Sequence, residues 1–131
     1  LPMELPRSGF SFLAMNVKQA VSIPVMASNR ITTPDRAEKI LSDGQADMVN
    51  LGRVLIADPF WPKKASEGRA DEIRPCVACS QGCTDELFNG RPVSCIGNAR
   101  AGFEGERAIT KADSPKKIMI AGAGVAGAGS G

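Results

Sequence analysis

The segment CVACSQGCTDELFNGRPVSC, Cys76 to Cys95, holds all four cysteines of a 131-residue chain that has no histidine and no tyrosine. Their spacing is C-x2-C-x3-C-x11-C. Two thiols separated by two residues can serve one centre, because the turn between them points both side chains inward. The third follows closely and the fourth closes the cage. Zinc in a tetrahedral thiolate site is one occupant, although structural zinc usually uses two separated pairs of ligands. Three close thiols and one distant one suit a cubane iron–sulfur cluster better, since each iron takes one cysteine. Thiolate cages serve both, so the spacing favours the cluster and leaves zinc open. Disulfides are disfavoured: secreted scaffolds spread their cysteines to staple distant loops, whereas here residues 1–75 of well-patterned sequence precede the first thiol. A reducing, cytoplasmic setting is expected.

Two other groups of residues could do chemistry. Ser28-Asn29-Arg30 and Gly52-Arg53 each follow a short apolar run. In a parallel βα protein ligands gather at the C-terminal ends of strands, and in an eight-stranded barrel the loops after the last two strands commonly bind phosphate. Gly52 would let a phosphate come close to the backbone, and Arg30 or Arg53 could supply the countercharge with fork geometry. Ordinary surface loops with solvated arginines are the alternative, and these residues alone do not decide between them. Gly122, Gly124 and Gly127 form G-x-G-x-x-G directly after IMIA, the position in which glycines permit a tight turn beside a pyrophosphate. That motif is weak alone, and a flexible glycine-rich tail is the alternative. The preceding Lys116-Lys117-Ile118-Met119-Ile120 favours a truncated nucleotide-binding fold.

The elements that must position these residues are legible as patterns. Ser11–Val21 places Leu13, Val17, Ala20 and Val21 on one helical face. Ile23 to Ala27 is continuously apolar, which predicts a strand buried on both faces. ITTPDRAEKILSDG predicts a helix with Thr33 as cap, Pro34 in first position, Asp35 at the positive end of the dipole and Gly44 as stop. Ala37, Ile40 and Leu41 form its expected buried stripe. ADMVNLG predicts a second buried strand. DPFWPKKASEG predicts a further helix with Asp58 as cap, in which Pro62 implies a late start or a bend. Strand and helix alternate, as in βα units around a parallel sheet. Two strands do not make a stable parallel sheet alone, which leads to the expectation that the chain is a fragment. From about Arg69 to Pro115 the sequence is loop-rich, with one short helix expected, capped by Thr84 and stopped near Gly90. A strand is expected at Ile118–Ala121.

Composition sets outer bounds. Hydrophobic residues make up 43% and the formal net charge is +2, ordinary for a globular domain. The basic residues are scattered, so no nucleic-acid footprint is expected. No apolar run reaches the roughly 20 residues of a membrane span.

In combination, ADMVNLGRVLIADPFWPKKASEGRADEIRPCVACSQGC, SCIGNAR and PKKIMIAGAGVAG resemble the multidomain iron–sulfur flavoenzymes of the old yellow enzyme superfamily. Its members include 2,4-dienoyl-CoA reductase, 2-enoate reductases and trimethylamine dehydrogenase. The resemblance implies that residues 1–68 are the last βα units of an FMN-binding (β/α)8 TIM barrel. Residues 69–115 would carry a [4Fe–4S] cluster on Cys76, Cys79, Cys83 and Cys95. Residues 116–131 would open a Rossmann-like FAD domain at Gly122, Gly124 and Gly127. Asn29, Arg30, Gly52 and Arg53 would lie at the FMN phosphate. NAD(P)H would reduce FAD, the cluster would relay single electrons to FMN, and FMN would reduce an activated C=C bond of a small-molecule substrate. Reduction is favoured over amine oxidation. The competing class is a small non-catalytic module with a structural zinc. Because the barrel's earlier strands and any tyrosine or histidine acid are missing, the chain alone is expected to be inactive. Substrate and oligomeric state are not encoded in these residues.

Overall fold

The computed structural model describes residues 7–122. Helix α1 (Ser11–Ala20) is followed by β1 (Met26–Ala27), α2 (Pro34–Ser42), β2 (Met48–Val49), α3 (Arg53–Ala57) and α4 (Trp61–Ser66). A 3-10 turn at Ala70–Glu72 leads into the cysteine segment, which carries α5 (Thr84–Phe88). The alternation of strands and helices is the expected one, with strands far shorter than their apolar runs.

β1 and β2 pair in parallel, Met26 opposite Met48 and Ala27 opposite Val49. The Asp47 amide donates to the Val25 carbonyl and the Asn50 amide to the Ala27 carbonyl, both at 2.8 Å. Burial on both faces is not observed. Ala27 is buried, but Met26 is 50% and Met48 45% exposed. Side chains alternate across a strand, so the Ala27 face joins the core while the two methionines share a face that is left half exposed. The same holds for α1. Its apolar face forms, yet Leu13, Val17 and Val21 are exposed and no α1 residue is buried. Ala14 of this helix packs against the core, and Lys18 Nζ, 2.7 Å from Asp47 Oδ1, ties it to the strand end.

The core gathers Ala27, Ile31, Ala37, Ile40, Val54 and Trp61, with Leu51, Ile73 and Cys76 packed against it. α2 starts at Pro34 and buries Ala37 and Ile40 as expected; Leu41 lies at its margin, 36% exposed. Thr33 has the extended backbone of a cap, but its hydroxyl makes no capping bond. Pro34 removes one unsatisfied N–H at the outset, so the helix starts without it. Gly44, at φ +69°, stops the helix and donates to the Leu41 carbonyl at 3.0 Å.

Four local expectations are corrected. α3 occupies what reads as a simple polar turn, because Val54 and Ala57 are buried. Asp58 does not cap a helix beginning at Pro59. The late start that Pro62 implied is observed: α4 begins at Trp61, placing Pro62 in its first turn, where its missing N–H costs no intrahelical bond. Thr84 is the first residue of α5 and Cys83 holds the cap position. Ile118–Ala121 form no strand: residues 115–122 are irregular and Ile118 and Met119 are exposed. A strand needs a neighbour for its backbone groups, and no described strand lies beside this segment.

Candidate functional site

The cysteine segment is pinned at both ends to the same structure, the C-terminal end of α3. On the entry side the Arg74 amide donates to Asp58 Oδ2 at 2.9 Å and Arg74 Nη1 donates to the Ala57 carbonyl at 3.1 Å. On the exit side Asn98 Nδ2 donates to the Ile56 carbonyl at 2.8 Å. Asp58 and Asn98 are the two buried polar residues among those described, 2% and 4% exposed. Asp58 also accepts from Lys64 Nζ at 2.7 Å and from the Phe60 amide at 3.1 Å. Burial pushes its carboxyl pKa up, but the hydrogen bonds from Lys64, Arg74 and Phe60 outweigh that and hold it below the usual 3.8.

Between these anchors the chain folds back on itself. Ala78 and Ser80 adopt left-handed backbone, φ +59° and +62°, a region uncommon for residues with a Cβ and concentrated at ligand clamps. Gly82 then passes residue 94 so closely that a Cβ would lie 2.6 Å from Ser94 Oγ and 2.8 Å from its carbonyl oxygen. This crossing brings Cys83 beside Cys95. All four cysteines are free and half-buried, and they line one cavity of about 140 Å³, closed also by Arg53, Ile56, Val77 and Ile96.

Four cysteine thiols around one cavity are a donor set for a metal group: a tetrahedral zinc would take all four at one ion, and a cubane cluster would take one at each iron. Among the described residues no group of three or more His, Cys, Asp or Glu side chains is already drawn together as a site for a single metal ion.

The two predicted turns also meet. Ser28, Asn29, Arg30, Gly52 and Arg53 line a second cavity of about 240 Å³, joined by Asn50. Asn29 and Arg30 are both left-handed, φ +89° and +52°. Gly52 has negative φ, and a Cβ there would meet no protein atom within 4 Å. Its value is therefore the open space beside the backbone, which a ligand can occupy. Two arginines, an asparagine side chain and this bare backbone suit an anion such as a phosphate monoester.

The cavities share a wall. Cys76, Ala78 and Arg53 border the anion pocket, and the same three residues border the cysteine cavity. Arg53 Nη1 donates to Ser80 Oγ at 2.8 Å. The spacing of motifs along the chain contains no sign of this contact, and none of the anchoring by Asp58 and Asn98. Gly122, at φ +123°, borders neither cavity, and Gly124 and Gly127 lie outside the described residues. No helix among the described residues is long and apolar enough to cross a membrane.

The chain is similar in sequence and fold to known proteins. The chain is 50% identical over 127 residues to the metal reductase of Desulforamulus reducens, covering 97% of this chain and 19% of the relative. It is 48% identical over 111 residues to the bilirubin reductase of Mediterraneibacter gnavus, covering 85% and 17%. Among solved structures it superposes on a 2-naphthoyl-CoA reductase in complex with 2-naphthoyl-CoA with a TM-score of 0.89 and 38% identity, covering 95% and 19%. The chain thus spans about a fifth of the length of these relatives. Residues 6–72 match the model of the NADH:flavin oxidoreductase / NADH oxidase family, so the α/β unit that builds the anion pocket belongs to a family of flavin-dependent oxidoreductases. This chain is a member of the NADH:flavin oxidoreductase / NADH oxidase family.

Proposed function

We propose that this chain forms the junction of an NAD(P)H-dependent flavin oxidoreductase that reduces an activated C=C bond of the enoate or dienoyl-CoA type. The observation that carries the reading is the shared wall: an anion pocket and a four-thiol cavity meet across Cys76, Ala78 and Arg53. In this reading residues 1–68 complete a TIM barrel. Arg30 and Arg53 neutralise the FMN phosphate, Asn29 offers its side-chain amide, and Gly52 leaves room at the backbone. Cys76, Cys79, Cys83 and Cys95 hold a [4Fe–4S] cluster in residues 69–115. Residues 116–131, with Gly122, Gly124 and Gly127, lead into an FAD domain that receives reducing equivalents from NAD(P)H.

The cluster, when bound, supplies one-electron transfer between two flavins that each handle electron pairs. The protein's part is placement. Cys76 packs against the barrel core and borders the anion pocket, so the thiol cage stands beside the flavin site instead of at the end of a mobile loop. Ile56, Val77 and Ile96 give the thiol cavity an apolar lining, although Val77 and Ile96 are half exposed. Reduction is favoured over amine oxidation because the metal reductase, the bilirubin reductase and the 2-naphthoyl-CoA reductase are all reductases.

The test is anaerobic purification of the full-length protein, followed by flavin and metal analysis and low-temperature EPR before and after reduction. About four irons per chain, one per thiolate, with bound FMN and a signal that appears on reduction, is the expected outcome. Stoichiometric zinc with no iron would establish the structural module in its place.

A further inference from the structure

We propose that Arg53 and Ser80 couple the two cavities, so that an anion bound between Asn29 and Arg53 tightens the cysteine cage and a filled cage tightens the anion pocket. The inference rests on the functional reading above and adds a property that neither site has alone. Among the described residues Arg53 is the one cationic side chain that borders both cavities. A guanidinium carries five N–H donors in a fixed plane. One of them is committed to Ser80 Oγ at 2.8 Å, and the fork geometry leaves the others to meet an oxyanion.

Ser80 stands between Cys79 and Cys83 in left-handed backbone at φ +62°. Such a conformation persists only where the surroundings hold it. Two ties do so here: the Arg53 bond to its hydroxyl, and the Asp85 amide donating to its carbonyl at 2.9 Å. An anion that immobilises the guanidinium therefore immobilises Ser80, and with it the turn that sets Cys79 against Cys83. Binding free energies are reciprocal, so a cage held in shape by its metal group must favour the anion by the same factor.

The experiment uses the full-length protein with FMN and a strong iron chelator. In the unaltered protein, saturating FMN should slow iron removal, and FMN should bind about fivefold or more tightly to the iron-loaded form than to the iron-stripped form, the lower end of usual coupling. Ser80→Ala and Ser80→Gly should reduce both ratios towards one while leaving FMN affinity of the iron-stripped form in place. Ser80→Gly removes the hydroxyl and relieves the left-handed strain together, so agreement between the two variants separates loss of the hydroxyl from strain at Ser80→Ala. Retention of both ratios in these variants would overturn the coupling while leaving the functional reading intact. Absence of FMN or iron from the unaltered protein would overturn that reading and the coupling with it.

Discussion

Asn98 Nδ2 donates to the backbone carbonyl of Ile56 at 2.8 Å, joining residues 42 positions apart. Its Oδ1 accepts from the Arg100 amide at 3.1 Å, so both ends of the amide are used. Asn98→Ala leaves a buried carbonyl unsatisfied, which costs about 1–3 kcal/mol. Asn98→Asp should cost more, because a carboxylate oxygen would face the Ile56 carbonyl and Glu104 Oε1, which lies 3.5 Å from Nδ2. Chemical denaturation of the purified variants measures the loss. Where the four cysteines hold iron, as proposed, faster iron release should accompany it, since Asn98 closes a bridge with Cys95.

Asp58 predicts an acid response of stated sign. Its folded pKa is depressed, so its contribution is present above the unfolded value of about 3.9 and disappears as pH falls through the folded value. Asp58→Asn breaks a largely buried pair with Lys64 and should cost about 2–3 kcal/mol at pH 7, somewhat under the range for fully buried pairs. Urea unfolding at pH 7 and at pH 3 decides the matter. The gap between Asp58→Asn and the unaltered protein should shrink at the lower pH; a constant gap would mean that the carboxylate charge is irrelevant.

Gly82→Ala tests how the cage closes. The added methyl would meet Ser94 Oγ and also its carbonyl, at 2.6 and 2.8 Å. Backbone cannot step aside as a side-chain tip can, so Ser94→Ala should not rescue the variant. Overpacking of this kind costs about 1–3 kcal/mol. Iron occupancy after anaerobic reconstitution should fall sharply, because Cys83 and Cys95 flank the crossing.

What could be read along the chain and what could not divide by range. The cysteine set is local in sequence, and the turns at Asn29–Arg30 and Gly52–Arg53 follow from where parallel strands end, so residues that line the two cavities could be named in advance. Asp58 and Asn98 could not. Each is a small polar residue of a type frequent in caps and turns, and its role depends on partners that only folding supplies: Arg74 for one, Ile56 for the other. The same cause explains Met26 and Met48. Apolarity marks them for burial, but burial requires a second layer, and both remain half exposed. Ile118–Ala121 have strand-forming residues with no strand to pair with, and propensity alone does not order them.

Trp61 connects stability to the anion pocket. It is buried in the core, and its Nε1 donates to the Thr32 carbonyl in a long bond of 3.4 Å. Thr32 belongs to the turn that carries Asn29 and Arg30, whereas Trp61 opens the helix that follows Arg53 and α3. The indole therefore braces the two sides of the pocket against each other. Trp61→Phe keeps most of the apolar contact and loses a weak bond, a cost of about 1 kcal/mol. Trp61→Ala empties a large volume and should cost about 3–5 kcal/mol. If the brace matters to the site, FMN affinity of the full-length protein falls in the order unaltered, Trp61→Phe, Trp61→Ala, measured by flavin fluorescence under conditions in which each variant remains folded. Equal affinities in all three would confine Trp61 to the core and leave the pocket walls held by Arg53 and the cysteine segment alone.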